Sequence, residues 1–342
     1  MRTLSLAALL LTLVVIVFGA YVRLSDAGLG CPDWPGCYGQ ISPAHAEDEI
    51  TARHAADPHG WVSMPKAWKE MTHRYIASTL GVLIVALAVM AWRRWRKTGA
   101  VPWMAWALVG VVVFQGLLGK WTVTLLLKPA IVTSHLLGGM TVLACLMWMV
   151  LRERGVARLA VSRGMAWAAR LALVLLVAQI ALGGWVSTNY AAMACPDLPT
   201  CQAQWVPANM DFDHGFHLTR DLGHTADGDR LPFAALTAIH WTHRVGAVVV
   251  GLYLLVFGAR LVAERALRGH GALLIGAVLA QIALGIANVL FSLPLALAVA
   301  HNAGAALLMM VVVGVNYRVG AAQGVRAMQT QRQGAWRERL PA

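Results

Sequence analysis

Residues 3–22 contain no Asp, Glu, Lys or Arg, and the same holds for 75–92, 98–119, 129–151, 171–196 and 245–259. A charge-free apolar run of about 20 residues is what a helix needs to cross the hydrocarbon core of a bilayer, where backbone groups can bond only to one another. The stretch 271–317 is free of these charges too, and it holds two such helices with Pro294 at the turn between them. Eight transmembrane helices are predicted, over about 4–22, 72–92, 102–124, 131–151, 167–188, 236–260, 271–292 and 296–317. Only 13% of the chain is charged, well under the roughly 25% of a soluble domain, and the mean hydropathy is +0.62. The fold class is an all-α membrane protein.

Basic residues gather at 93–97, 152–163, 260–268 and 318–339, whereas every acidic residue except Glu153, Glu264 and Glu338 lies in 23–70 or 189–230. Short Lys/Arg-rich segments stay on the cytoplasmic side. Both termini are therefore expected in the cytoplasm, and both long loops on the outer face of a bacterial inner membrane. The net charge of +12 reads as topology signal plus attraction to anionic membrane lipids, with no nucleic acid partner required. The N-terminal apolar run has the look of a signal peptide, but the first helix has a counterpart later in the chain, which argues for its retention.

That counterpart belongs to an internal duplication. The first helix leads into CPDWPGC, Cys31 to Cys37, and the fifth into CPDLPTC, Cys195 to Cys201. Each Cys loop precedes a helix bearing a histidine, His73 in EMTHR and His243 in HWTHR. Two helices later comes another, His135 in TSHLLGGM and His301 in AHNAGA, preceded at equal intervals by Gln115 and Gln281. Two tandem pseudo-symmetric four-helix bundles are predicted, 1–155 and 156–320, followed by a basic tail at 321–342. Four cysteines fall in the long loops, in an oxidising compartment, and a spacing of six with Pro and Asp between allows Cys31 to bond Cys37 and Cys195 to bond Cys201. A structural staple is the favoured role, with a redox-active thiol pair as the alternative.

In the predicted topology all four histidines lie near the outer ends of even-numbered helices, with His73 opening the second. An ionisable side chain in a bilayer is costly unless it is used. Two imidazoles on facing helices are what a haem iron takes as axial ligands inside a bundle. Interhelical hydrogen bonding and a proton relay are the blander readings for a single histidine, less so for four in symmetric places, and zinc would need three or four ligands per site. Gly138, Gly139 and the small residues 303–306 leave room for a flat macrocycle. Arg74 and Arg244 are candidates for haem propionate contacts, against snorkelling to headgroups. Alignment of EMTH with HWTH sets Glu70 opposite His240, each one helical turn before a ligand. Glu70 is placed to take a proton or stabilise a developing cation, with a helix-dipole carboxylate as the plain alternative, and His240 to sit beside an unreactive haem. His45, His54, His59, His214, His217 and His224 in the loops read as solvated or lid residues rather than a metal site.

Taken together, GAYVRLSDAGLGCPDWPGCYG, EMTHR, QGLLGKWTVT with TSHLLGGM, CPDLPTC, THR and AHNAGA resemble the haem A synthase family, over roughly 1–320 and in the subtype with a Cys pair in each long loop. The resemblance implies oxidation of the C8 methyl of haem O to the formyl of haem A, for cytochrome oxidase. It implies that His73 and His135 hold substrate haem O, that His243 and His301 ligate a haem b cofactor, that Glu70 is catalytic, and that the first disulfide can relay electrons. Implied partners are haem O synthase, an unidentified electron acceptor and a second copy in a homo-oligomer. A di-haem b-type cytochrome, a membrane thiol-quinone oxidoreductase and a transporter are the competing readings. The first needs haems near both faces, the second leaves the histidines idle, and the third lacks paired mid-membrane charges.

Overall fold

The computed structural model describes residues 1–99 and 102–319; the predicted basic tail at 321–342 lies outside them. Among the described residues eight helices are long and apolar enough to span a bilayer. They are α1 (Arg2–Leu24), α3 (Met64–Thr98), α4 (Trp103–Thr124), α5 (Pro129–Glu153), α6 (Arg163–Thr188), α8 (Phe233–Ala263), α9 (Arg268–Leu290) and α10 (Leu295–Val319), with α2 (Glu47–Ala56) and the short α7 (Phe212–Gly215) in the two long connections. No strand occurs among the described residues.

The predicted spans all reappear, but α3 exceeds its apolar run at both ends. It begins at Met64, with Lys66, Lys69 and Glu70 in its opening turns, because these polar groups have protein partners there: Gly60 for Lys66, the Tyr21 ring for Lys69 and the Cys31 amide for Glu70. At the other end Arg93–Lys97 form its last turns instead of a loop. Cations there are favoured by the helix dipole, and Gly99, at φ 71°, closes the helix in the left-handed conformation. Helix α8 likewise starts early, at Phe233.

Helices α1, α3, α4 and α5 close into a ring in which each touches the next, and α6, α8, α9 and α10 form a second ring in the same order. The rings meet through α1 and α5 on one side and α6 and α10 on the other. Leu143 and Leu146 of α5, Ala169 and Ala172 of α6, and Met309 and Val312 of α10 are buried in the core cluster there. Asn316 on α10 donates to the Ala169 carbonyl of α6 at 2.8 Å, a polar tie within an apolar contact. Val82, Val113, Val174, Val248 and Leu273 point outward, as a lipid-facing surface requires. The short turns α4–α5 and α9–α10 both use two successive left-handed residues, Leu126 and Leu127 in one and Ser292 and Leu293 in the other.

The two long connections emerge at the same end and are stitched together. Arg23 donates to the Ser187 carbonyl at 2.9 Å and lies 4.1 Å over the Tyr190 ring. Tyr190 donates to Asp26 at 2.8 Å, and Lys128 pairs with Asp221 at 3.2 Å.

Candidate functional site

Each Cys loop is a closed turn built by the same residues. Cys31 and Cys37 are bonded, with Cα atoms 4.9 Å apart, and so are Cys195 and Cys201, at 4.6 Å. Asp33 accepts from the Tyr38 and Gly39 amides at 2.7 Å each. Asp197 does the same for Gln202 and Ala203, at 2.6 and 3.0 Å, and also accepts from the Thr200 hydroxyl. These bonds hold the Asp197 carboxyl below its ordinary value of 3.8, the Thr200 hydroxyl contributing most. Cys31 and Cys37 are buried with Ala46, Ile50, Ala67 and Met71.

Below each loop stands the pair that sequence alignment sets in register. Glu70, buried to 4% exposure, accepts from the Cys31 amide at 3.0 Å and from Arg74 at 2.5 Å. His240, at 5% exposure, accepts through Nδ1 from the Cys195 amide at 3.2 Å, and Arg244 approaches its Nε2 at 3.3 Å. Arg74 donates to the carbonyls of Asp33, Pro35 and Gly36, and Arg244 to those of Asp197, Thr200 and Cys195. Both guanidiniums therefore grip the Cys loops, a role beside the two that the sequence left open, a haem propionate or a lipid headgroup. Five donors in a fixed fork suit a turn that presents several carbonyls at once.

The four histidines stand on diagonally opposed helices of each ring, His73 on α3 facing α5 with His135, and His243 on α8 facing α10 with His301. They lie about 14, 9, 15 and 9 Å along helices that start at the loop-bearing end. His73 thus does not open its helix, and His243 sits nearly three turns in rather than two, because α3 and α8 begin before their apolar runs. All four rings are half-buried.

A glycine lies across from each ring, so that each imidazole packs directly against a neighbouring helix backbone. A Cβ on Gly19 would stand 2.8 Å from Cε1 of His73, on Gly119 3.5 Å from His135, on Gly183 3.1 Å from His243 and on Gly285 3.2 Å from His301. His73 Nδ1 and His301 Nδ1 are buried without a hydrogen-bond partner. Glycine cradles, partly accessible rings and orphaned ring nitrogens together fit an axial pair for haem iron in each ring of helices. Among the described residues no group of three or more His, Cys, Asp or Glu is arranged to hold a metal ion, so the histidines offer pairs and not a protein-only metal cage.

The family model described as COX15-CtaA, cytochrome oxidase assembly protein, matches residues 2–313. The chain belongs to this family. Among its COX15-CtaA relatives, a heme A synthase of Shewanella oneidensis is 42% identical, over 90% of this chain and 93% of its own length. One of Rhizorhabdus wittichii is 28% identical over 87% and 88%, and one of Halalkalibacterium halodurans 27% over 68% and 72%.

Around the histidines of this COX15-CtaA chain stand residues that pattern reading passed over. Gln179 donates to Nδ1 and to the carbonyl of His243, at 3.0 Å each, and the four glycines above were not noticed. The available signal was a finer repeat, Gln followed four positions later by Gly on one helix and His followed three positions later by Gly on the next. The loop 211–229, expected to be a solvated or interfacial lid, is largely exposed, His217 and His224 included, and is anchored at Arg220. Arg220, at 2% exposure, donates to the carbonyls of His214 at 3.0 Å and Gly215 at 3.4 Å and to Asn189 at 2.5 Å, 5.7 Å from the Trp185 ring. His214 pairs with Asp211 at 2.7 Å.

Proposed function

We propose that this integral membrane protein is a haem A synthase, oxidising the C8 methyl of haem O to the formyl of haem A for cytochrome oxidase. The observation that carries the reading is one diagonal histidine pair in each helix ring, in a chain of this family. On this reading 1–155 form the substrate half, in which His73 and His135 hold haem O by its iron. The half 156–320 is the redox half, with His243 and His301 as ligands of haem b, which supplies an electron acceptor beside the substrate site. The basic segments set the histidine-bearing end on the outer side of the membrane, and a partner outside the chain takes the electrons onward.

From methyl to formyl the carbon rises four units in oxidation state: water supplies the oxygen, four electrons pass to the acceptor and four protons leave, so positive charge develops on the C8 substituent. Glu70 lies one turn from His73 with both oxygens held, one by the Cys31 amide and one by Arg74. A carboxylate so fixed acts as a preorganised negative charge facing that change. Arg74 and Arg244 serve by locking the loops above each site, and Cys31–Cys37, buried with its cluster, serves as a staple. A transmembrane cytochrome would space its haems toward opposite faces, whereas all four histidines here lie within three turns of one end.

The test is co-expression with an enzyme that supplies haem O, followed by pigment extraction and mass spectrometry. Haem O derivatives oxidised at C8 are expected; haem b as the sole pigment would overturn the reading.

A further inference from the structure

The four histidine-bearing hairpins, α1–α3, α4–α5, α6–α8 and α9–α10, share one register that is finer than the duplication. The first helix of three of them carries Gln four positions before the cradling glycine, as Gln115–Gly119, Gln179–Gly183 and Gln281–Gly285. The second helix of the same three carries Gly three positions after the histidine, as Gly138, Gly246 and Gly304. The glycine exists for the glutamine. A Cβ at Gly138 would lie 1.4 Å from Nε2 of Gln115, at Gly246 2.3 Å from Oε1 of Gln179, and at Gly304 2.2 Å from Oε1 of Gln281.

Each glutamine ties the imidazole to the helix that bears it. Gln179 reaches the His243 ring and carbonyl at 3.0 Å each, and Gln281 reaches those of His301 at 3.4 and 2.9 Å. Gln115, its amide oriented to satisfy both ends, donates to the ring and carbonyl of His135 at 2.7 and 3.2 Å and accepts from Gly139 at 3.0 Å. An iron-bound imidazole keeps its proton on the nitrogen away from the metal and needs a partner there. There the ring donates, so each glutamine would serve it by turning Oε1, unengaged and buried in Gln179 and Gln281, toward the imidazole in exchange for its bond to the backbone carbonyl.

The hairpin α1–α3 departs at both positions together. Val15 stands where the others have Gln, and Ile76 where they have Gly. His73 faces Gly19 as its equivalents face theirs, but its Nδ1 is buried with no hydrogen-bond partner. His301 Nδ1 is unpartnered too, yet its other ring nitrogen meets Gln281.

We infer that Gln115, Gln179 and Gln281 are positioning residues for three of the four iron ligands, and that His73, whose hairpin carries Val15 and Ile76 at those two positions, is the ligand that releases. The inference rests on the bis-histidine reading of the two sites. Its chemical sense is a division of tenure: a cofactor stays through every turnover, whereas a substrate must enter and its product must leave. Losing the outer partner of a metal-bound histidine weakens binding about 10- to 100-fold. Release breaks only the bond from iron to the His73 nitrogen, with no net redox change.

The test follows haem loss, not catalysis. Full-length protein in lipid nanodiscs, loaded with haem b in both halves, is mixed with excess apomyoglobin, and transfer is followed in the Soret band. Two phases separated by about 10- to 100-fold are expected. Val15→Gln with Ile76→Gly should slow the fast phase alone, and the mirror exchange, Gln179→Val with Gly246→Ile, should speed the slow phase alone. A single rate in the wild type, with a low-spin bis-histidine spectrum present, would overturn the inference, as would unchanged rates in exchanged proteins that keep that spectrum. His73→Ala decides the assignment without either exchange: it must remove the fast phase and spare the slow one, and loss of the slow phase overturns the inference. If neither His73→Ala nor His135→Ala altered the low-spin spectrum, the fault would lie with the ligand reading of the first half instead.

Discussion

Glu70 and His240 occupy one position of the duplicated unit and make the same contacts, each accepting from the first Cys amide of its loop and each meeting the Arg four residues on. The structural work of the position therefore survives exchange of an acid for an imidazole, and the fixed negative charge is what the first half adds. Glu70→Gln keeps an oxygen for the Cys31 amide and removes the charge. Haem A output should fall about 10²- to 10³-fold, the cost of losing one preorganised electrostatic group, while the low-spin haem spectrum stays as it is. Output within threefold of wild type, by quantitative haem extraction, would show that the charge is not used. The alignment of EMTH with HWTH was enough to set Glu70 against His240, since both obey one helical period. It could not show that a loop amide fills the space above them, because no sequence pattern says which loop amide a helix side chain will meet.

At the scale of elements, apolar runs locate the helices, and charges at their ends mislead about their length. Lys66, Lys69 and Glu70 look like a boundary but lie inside α3, where Gly60, the Tyr21 ring and the Cys31 amide meet them; the sequence shows the charge and not the partner. The Cys loops were readable as closed turns from CPDWPGC and CPDLPTC, but the role of their aspartates emerges only when Asp33 and Asp197 are seen accepting from the amides past the second Cys. Asp197 is held below its ordinary value by the Thr200 hydroxyl and by those amides, so it contributes order that is present above the unfolded-state value and is lost as pH falls through the lower folded value. Protection of the Gln202 and Ala203 amides, measured as exchange relative to an unstructured peptide at the same pH, should thus hold from neutral pH down to 3.8 and fall only below it. Asp197→Asn should flatten that dependence. Loss of protection that starts well above 3.8 in the wild type would mean that the carboxylate does not anchor the turn.

Across the whole molecule the departures from symmetry at the ligand sites gather on one hairpin. Val15 against Gln179, Ile76 against Gly246 and Glu70 against His240 all lie on α1 and α3, while the hairpins α4–α5 and α9–α10 keep matching Gln, Gly and His. One hairpin therefore carries both the carboxylate and the histidine without a glutamine partner, and the second ring of helices repeats the same frame with a glutamine at each histidine. Each histidine pair also lies wholly within its own ring, so the sites should fill independently while the reaction needs both. His73→Ala should lose the haem of the first half and leave the low-spin signal of the second unchanged. His243→Ala should lose that second signal, keep haem O in the first half, and yield neither formyl nor hydroxymethyl product, because the electrons leaving C8 have no acceptor. Redox titration with pigment extraction on each variant separates these outcomes. Loss of both signals in either variant would mean that the rings are one cooperative site, and C8 oxidation persisting in His243→Ala would mean that the second ring is not the electron acceptor.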